Sequence, residues 1–276
     1  MRHDTADRAL TVAAWVCGLV GILIPASMVL YLSIEGTSAL TWTFLTDRPR
    51  GHPPGTQGGI LPAIVGSLAL VGTGLAVAVP LGVGGAVFLS SYARSPFWKR
   101  ALRAGSELLA GVPSILYGLF GYAILAVELK LGVSLRTGGL TLGLVMFPII
   151  LIGVHEALSA IPGELSEAVY ALGVTKSYAL RRVLLRQAWP GLVAAIALAA
   201  GHAAGSAAPV LYTASIFYSP GGLRWQDPVM TLPTHLYHLV GEALSPRQAH
   251  GTALVLMAGL LLANAFALFL KGKVRR

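Results

Sequence analysis

Charged side chains are scarce in this sequence. Only 11% of its 276 residues are Asp, Glu, Lys or Arg, whereas 55% are hydrophobic. Soluble domains carry roughly 25% charged residues, so there are too few charges here to solvate a globule of this size. The composition excludes an ordinary soluble protein and predicts an integral membrane protein.

Cysteine and the common catalytic motifs are also scarce or missing. The single cysteine, Cys17, cannot form an internal disulfide. The sequence contains no G-x-x-x-x-G-K-[ST] phosphate loop, no H-E-x-x-H and no G-x-S-x-G, which excludes ATP binding by that loop and the commonest hydrolase motifs. Carboxylates are rare inside the apolar runs, which disfavours a proton- or sodium-coupled carrier. We expect no catalytic residue and no cofactor in this chain.

Long apolar runs are what the sequence has in abundance. A helix needs about 20 apolar residues to cross a bilayer, and six such runs occur, at residues 10–34, 61–91, 105–127, 139–161, 190–218 and 250–270. They predict an all-α protein with six transmembrane helices in a single domain, 1–276. Pro80 and Pro209 interrupt the second and fifth runs, so we expect both helices to bend there. The first run is too long for a signal core and has no clear cleavage site after it, so we expect a retained helix.

The cations are unevenly distributed between the loops. If both termini are cytoplasmic, 14 of the 20 Lys and Arg residues lie on the inside, as the positive-inside bias requires. The opposite orientation would place the majority outside. The net charge of +9 is therefore explained by orientation and by contact with anionic lipid, and we expect no nucleic-acid partner.

Two weaker arrangements keep other functions open. Ser206 follows His202 by four residues, which allows the Ser/His dyad of an intramembrane enzyme, but no orienting group or oxyanion hole accompanies it. His235 and His238 share a helical spacing, with His250 as the only other nearby candidate. Zinc requires three or four ligands, so we expect no metal site. A structural membrane scaffold is a further alternative.

The loop at residues 156–190 has more internal order than a connection needs. Pro162 suits the first position of a helix, and Gly173 suits the residue just after its end, because glycine adopts positive φ without strain. Thr175 can then cap a second helix that starts near Lys176. We expect two short helices that meet at a glycine and form a docking surface in the cytosol.

This loop resembles the EAA loop of permease subunits from binding-protein-dependent ABC importers. The resemblance is carried by EAVYALG at residues 167–173, where Glu-Ala is followed at the family spacing by Gly. Further segments resemble phosphate permeases of the PstA type, and the likeness covers nearly all of residues 10–270. These segments are GGILPAIVGSLALVGTGLAVAVPLGVGGAVFLSSYA, AGVPSILYGLFGYA, GLVMFPIILIGVHEALSAIPGELSEAVYALGVTK and AAPVLYT.

The resemblance implies a type I (MetI-like) permease with a core at about 61–271 that forms half of a path for inorganic phosphate. In this family the loop contains a coupling helix that sits in a groove of the cytoplasmic ATPase. By this likeness Glu167 and Ala168 belong to that helix, Gly173 sets the bend, and Arg181 and Arg182 flank it.

The implied partners are a second permease subunit (PstC-like), two ATPase subunits (PstB-like) that hold ATP and Mg, a substrate-binding protein (PstS-like) and the lipid bilayer. The implied location is the plasma membrane of a bacterium or archaeon, with both termini cytoplasmic.

The sequence departs from the phosphate permeases at two places. Arg186 stands where the family commonly has Pro, with Pro190 four residues later. In the fifth run the family's Arg position is His202 and its Glu-Thr positions are Ser206 and Ala207, before the retained Pro209. Neutral divergence and a different substrate, such as molybdate, tungstate, sulfate or phosphonate, both explain this. His202 is the first candidate for lining the path, Ser206 the second, and Pro209 belongs to the same segment.

Overall fold

The computed structural model describes residues 2–51, 55, 57–93, 95–217 and 223–274, most of which are helical. The helices are α1 (Arg2–Thr37), α2 (Trp42–Thr46), α3 (Leu61–Val87), α4 (Pro96–Gly111), α5 (Ser114–Phe120), α6 (Leu135–Ser159), α7 (Gly163–Ala171), α8 (Lys176–Ala179), α9 (Leu185–Gly205), α10 (Ala208–Thr213), α11 (Leu232–Gly241) and α12 (Pro246–Val274). Three π-helical segments continue or join them: Phe88–Tyr92 after α3, Gly121–Glu128 after α5, and Leu180–Leu184 between α8 and α9.

A short hairpin interrupts the helical pattern between α2 and α3. Strands β1 (Pro49–Arg50) and β2 (Gln57–Gly58) pair antiparallel, with Pro49 opposite Gly58. Gly51, Gly55 and Gly58 all have positive φ, a conformation that favours a turn over a helix.

Within the described residues, five helices are long and apolar enough to cross a membrane: Leu10–Thr37, Leu61–Tyr92, Leu135–Ser159, Lys176–Gly205 and Pro246–Phe266. A bent pair of helices, Pro96–Gly111 with Ser114–Glu128, gives a sixth span if the two helices are counted together. The predicted six-span, all-α architecture is confirmed when this pair counts as one span.

The third predicted span is not continuous. We expected one helix over 105–127, but α4 and α5 meet at an angle of 98°. The break lies at Val112, whose backbone is extended at φ −71° and ψ 129°. A residue before proline is pushed out of the helical region, and Pro113 follows, so the helix ends there and a new one begins at Ser114.

The two prolines at which bends were predicted differ in whether the helix is interrupted near them. Helix α3 runs on through Pro80 to Val87 without a break. The fifth span does break, but at Ser206, which is extended, and therefore three residues before Pro209. Pro209 occupies the first turn of α10, where a missing N–H group costs nothing.

The core lies between α3, α6 and α9, and small residues let these helices approach. The buried positions of α3 recur at every third or fourth residue: Ala63, Gly66, Leu70, Gly74, Ala78, Gly82 and Ala86. Helix α6 is the most buried of the five spans, with 67% of its most apolar window inside the protein. In hydrocarbon, helices associate through close packing of this kind.

The connections at one end of the bundle are tied together by hydrogen bonds. The Ser134 N–H donates to the Thr213 carbonyl over 3.0 Å, and the Leu232 N–H donates to Ser67 Oγ over 2.8 Å. Arg247 donates to the Ser38 carbonyl over 2.6 Å. The loops after α1, α5 and α10 therefore share one end, and the α3–α4 and α6–α8 connections lie at the other.

Candidate functional site

Helix α7 and the turn that follows it form the first candidate site. The helix begins at Gly163, one residue later than predicted, with Pro162 as its N-cap. Its end follows the prediction, because Gly173 has φ +71° and its N–H donates to the Tyr170 carbonyl over 3.0 Å. The Thr175 hydroxyl accepts from the Tyr178 N–H over 3.3 Å, which confirms the predicted cap of the next helix.

The α7 surface is open. No residue of the helix is buried, and both Glu167 and Ala168 are exposed. Leu172, just beyond its end, is 79% exposed, and a Cβ added at Gly173 would meet nothing within 4 Å. A short helix with exposed apolar side chains at the end of a bundle lacks a partner within this chain, as a docking surface does.

The second helix of the predicted elbow is not short. Helix α8, the π-helical segment and α9 run continuously from Lys176 to Gly205. Residues 160–175 connect α6 to this helix, so the predicted loop of 156–190 includes the end of α6 and the first turns of the continuous helix. Arg181 and Arg182 do not flank α7 as separate loop residues but lie exposed on the first turns of the span.

The continuous helix starts close to α7 in the chain. Leu180 and Leu184, on the same turns as these cations, are buried. The Gly173 turn joins α7 directly to a helix that runs continuously to Gly205. Arg186 and Pro190 both lie inside α9. The chain is therefore already helical at position 186, where the family commonly has a proline.

The residues of the fifth-span candidate are not brought together. His202 is exposed, Ser206 is half-buried, and Pro209 is buried against α5, where a Cβ added at Gly118 would lie 3.0 Å from the Pro209 Cα atom. The Ser206 hydroxyl donates to the His202 carbonyl oxygen over 2.7 Å. Because this hydroxyl is engaged with the backbone, the Ser/His pair lacks the hydroxyl-to-imidazole contact that a nucleophilic dyad needs.

Ser206 and His202 have different surroundings. Ser206 lines a cavity of about 10 Å³ with Ser67 and Thr231, which has room for about one water molecule. His202 and Leu198, one turn apart on α9, are both exposed, and His202 does not line that cavity.

A polar cavity that the sequence did not predict lies at the same end of the bundle as α7. It measures about 210 Å³ and lies between α4 and α6, lined by Arg103, Glu107, His155, Glu156 and Ser159 among others. Arg103 and Glu107 form an ion pair at 3.0 Å, and Ser90 Oγ lies 2.9 Å from His155 Nδ1. The feature of the sequence that could have indicated this cavity is the segregation of apolar and basic residues along α4.

The histidines considered as metal ligands lie in two places. His250 is on α12, where its ring meets Tyr31 edge-on at 5.7 Å. His235 and His238 are on α11, and Phe217 stacks on His235 at 5.9 Å. No group of three or more His, Cys, Asp or Glu side chains with metal-binding geometry occurs in the part of the chain that the structure describes.

Among the described residues outside the spans, His235 is the one whose pKa is strongly shifted. The residue is 2% exposed, and its Nδ1 atom has no hydrogen-bond partner in the part of the chain that the structure describes. Burial, and to a smaller extent the neighbouring His238, lowers the pKa of His235 from its ordinary 6.5 to about 4. The sequence could not reveal this, because the burial comes from packing of α11 against α3 and α12.

Known proteins resemble the chain in both fold and sequence. The family described as binding-protein-dependent transport system inner membrane component matches residues 78–276. In solved structures the fold recurs in a bacterial alginate ABC transporter, with TM-score 0.64, 14% identity and coverage of 96% of this chain and 92% of that one. It recurs also in the inward-facing MetNI methionine ABC transporter, with TM-score 0.61, 21% identity and coverage of 79% and 94%.

The curated relatives are permease proteins. The probable ABC transporter permease protein YqgI of Bacillus subtilis is 27% identical over 98% of this chain and 96% of its own length. The phosphate transport system permease protein PstA 2 of Mycobacterium tuberculosis is 31% identical over 92% of this chain and 84% of its own length. The fold is thus that of a type I ABC importer permease. The chain belongs to the family of binding-protein-dependent inner membrane transport components.

Proposed function

We propose that this chain is a permease subunit of an ATP-driven importer for inorganic phosphate. The observation that carries the proposal is the likeness to several phosphate transport permeases named PstA over most of the chain. The relative from Haemophilus influenzae, for example, is 27% identical over 85% of this chain.

In the proposed mechanism ATP is hydrolysed on a separate subunit. The open surface of α7, with Glu167 and Ala168, sits in a groove of an ATPase that holds ATP and Mg. Closure of two ATPases displaces α7, and the Gly173 turn passes this movement to the rod of α8 and α9. Support comes from the exposure of α7 and from the continuity of the helix behind it. Arg181 and Arg182, at the start of that rod, lie near the same contact.

The remaining partners follow from the same proposal. A second permease covers the open faces of the spans, a substrate-binding protein delivers the anion to the outer loops, and both termini lie in the cytosol. His202 faces the path between the two permeases, where its imidazole meets the anion as a hydrogen-bond donor. Ser206 and Pro209 shape the helix break beside it.

A second candidate function is import of another oxyanion. The observation that favours it is His202 itself, which places an imidazole where the phosphate permeases carry the guanidinium of arginine, a permanent cation. Molybdate, tungstate, sulfate and phosphonate are the alternatives, and the architecture would be the same.

The test is ATPase activity of the assembled complex in lipid nanodiscs. Binding protein loaded with phosphate is compared with binding protein loaded with molybdate or sulfate. Stimulation by phosphate alone supports the proposal. Stimulation only by another anion would identify that anion as the substrate in place of phosphate. No stimulation by any anion rejects the importer function.

A matched pair of variants tests the path residue in the same assay. His202→Ala should lower stimulated activity severalfold, while Leu198→Ala, on the same exposed face one turn earlier, should leave it near wild type. Equal effects of the two substitutions would contradict the role of His202 in lining the path.

A further inference from the structure

Helix α4 lies across the direction of the spans. It is bent by 98° from the Ser114–Glu128 segment that follows it, so if that segment crosses the bilayer, α4 lies close to the membrane plane. Its start is well defined, because the Ser95 hydroxyl accepts from the Phe97 N–H over 3.3 Å. The connection back to α3 places α4 at the same end of the bundle as α7.

The crossing segment after α4 is short. Residues Ser114–Phe120 and Gly121–Glu128 are 7 and 8 residues long, which gives about 22 Å at 1.5 Å per residue. The hydrocarbon core is about 30 Å thick. With Glu128 at the outer surface, Ser114 stops short of the inner headgroups, and α4 is drawn up to the level where headgroups and acyl chains meet.

One side of α4 packs on the protein and a second side is apolar and exposed. Ser106 is buried, and α4 contacts α6 and the end of α3. Phe97 and Leu108 are 68% and 74% exposed. With Ala101 and Ala104 they recur at spacings of four, three and four residues, which places all of them on one face of a helix.

The third side of α4 is charged and carries a cationic excess. Arg103 and Glu107 pair with each other at 3.0 Å. Lys99 and Arg100 are exposed and have no ion-pair partner among the residues that the structure describes. Trp98, 56% exposed, meets Phe97 edge-on at 5.6 Å, and aromatic residues of this kind concentrate at membrane interfaces.

We propose that α4 is an in-plane anchor that binds anionic phospholipid headgroups of the inner leaflet through Lys99 and Arg100. The acyl chains lie along the face of Phe97 and Leu108. An amphipathic helix with cations beside an apolar face is suited to this interface. Without lipid, the apolar face of α4 would be exposed to water. The proposal is independent of the transported substrate and of coupling to an ATPase.

Fluorescence of Trp98 tests the proposal directly. Trp15, Trp42, Trp189 and Trp225 are replaced by Phe, and the full chain is placed in nanodiscs that contain nitroxide-labelled phosphatidylglycerol or nitroxide-labelled phosphatidylcholine. Each cation near an anionic surface strengthens its binding by about fivefold. We therefore expect the anionic label to quench Trp98 severalfold more strongly, at equal label content, than the zwitterionic label.

Two double variants give the test its controls. Lys99→Gln with Arg100→Gln should bring the two labels to equal quenching, whereas Lys130→Gln with Arg224→Gln removes the same charge from the opposite end and should preserve the preference. Retained helix content and monodispersity show that each variant is folded. Equal quenching of the parent by both labels, a preference that survives loss of Lys99 and Arg100, or no quenching at all would each overturn the proposal.

Discussion

His235 is the residue whose chemistry is changed most by the fold outside the spans. Its ring is enclosed by Phe217 and the packing of α11, and Nδ1 has no partner. A charged imidazolium in this place would be buried without a counter-ion, which is costly. The site is therefore built for the neutral form.

Stability should fall when the pH is lowered, because of this residue. The pKa of His235 is about 4 in the folded protein and about 6.5 in the unfolded chain. Between these pH values the unfolded state binds a proton at His235 that the folded state does not bind. The loss begins near pH 6.5, is complete near pH 4, and amounts to about 3 kcal/mol. Thermal unfolding in detergent at pH 7.5 and pH 5 measures it.

The control for this effect is His235→Phe, which keeps an aromatic ring beside Phe217 but does not titrate. The variant should lose less stability than the wild type between the two pH values. If both proteins show the same pH dependence, other groups cause it and the burial of His235 is not the reason.

At the scale of elements, the turn after α7 depends on one backbone conformation. Gly173 has φ +71° and open space around it, so a side chain there would meet no neighbour but would strain the backbone. The left-handed conformation costs a non-glycine residue about 1–2 kcal/mol, and asparagine bears that cost better than a β-branched residue does.

Substitution at this turn should separate assembly from coupling. Gly173→Val should lower phosphate-stimulated ATPase activity by about 5- to 30-fold, while Gly173→Asn should retain most of it. Both variants should reach the membrane in wild-type amounts, because nothing packs on this position. Equal activity of the two variants would show that the conformation of the turn does not matter to coupling.

The contact between α3 and the segment that joins α10 to α11 also depends on a glycine. A Cβ added at Gly66 would overlap the carbonyl oxygen of Met230. This backbone is not free to move, because the Leu232 N–H is held by Ser67 Oγ at 2.8 Å and the Val229 N–H by the Ala214 carbonyl at 2.8 Å.

We expect Gly66→Ala to destabilise the protein by about 1–3 kcal/mol, the usual range for an overpacked site. Gly72→Ala is the matched control on the same helix, because an added Cβ there meets nothing within 4 Å, and alanine is the better helix former by about 1 kcal/mol. Melting temperatures in detergent measure both. An unchanged melting temperature for Gly66→Ala would contradict the close contact.

The elements that local chemistry specifies could be predicted from the sequence. The glycine at the end of α7 and the Thr175 cap were found, because each depends on residues within one turn. The 98° angle at Val112 and the length of the helix after Lys176 were not. A proline reports that a helix ends, but the angle between the two helices is set by what each packs against. A loop with caps at both ends does not report whether the second helix continues into the membrane.

Over the whole molecule, the distribution of charge and the arrangement of helices point to one orientation. The segments joined by hydrogen bonds at one end of the bundle carry 6 of the 20 Lys and Arg residues, whereas the other 14 occur in residues 94–103, in residues 176–186 and near the two termini. Anionic lipid and the translocation machinery retain positive loops on the cytoplasmic side. We therefore expect the end of the bundle that contains α7 to be the cytoplasmic one, which is the arrangement that coupling to an ATPase requires.

This orientation can be measured with single cysteines. In a Cys17→Ser background, Ser38→Cys marks the end after α1 and Ser177→Cys marks the end after α7, and both positions are exposed. A membrane-impermeant maleimide applied to intact cells should label position 38 at once and position 177 only after the cells are made permeable. The parent without cysteine should remain unlabelled. The reverse pattern would place α7 outside the cell, where no ATPase can reach it, and the coupling role of Glu167, Ala168 and Gly173 would fall with it.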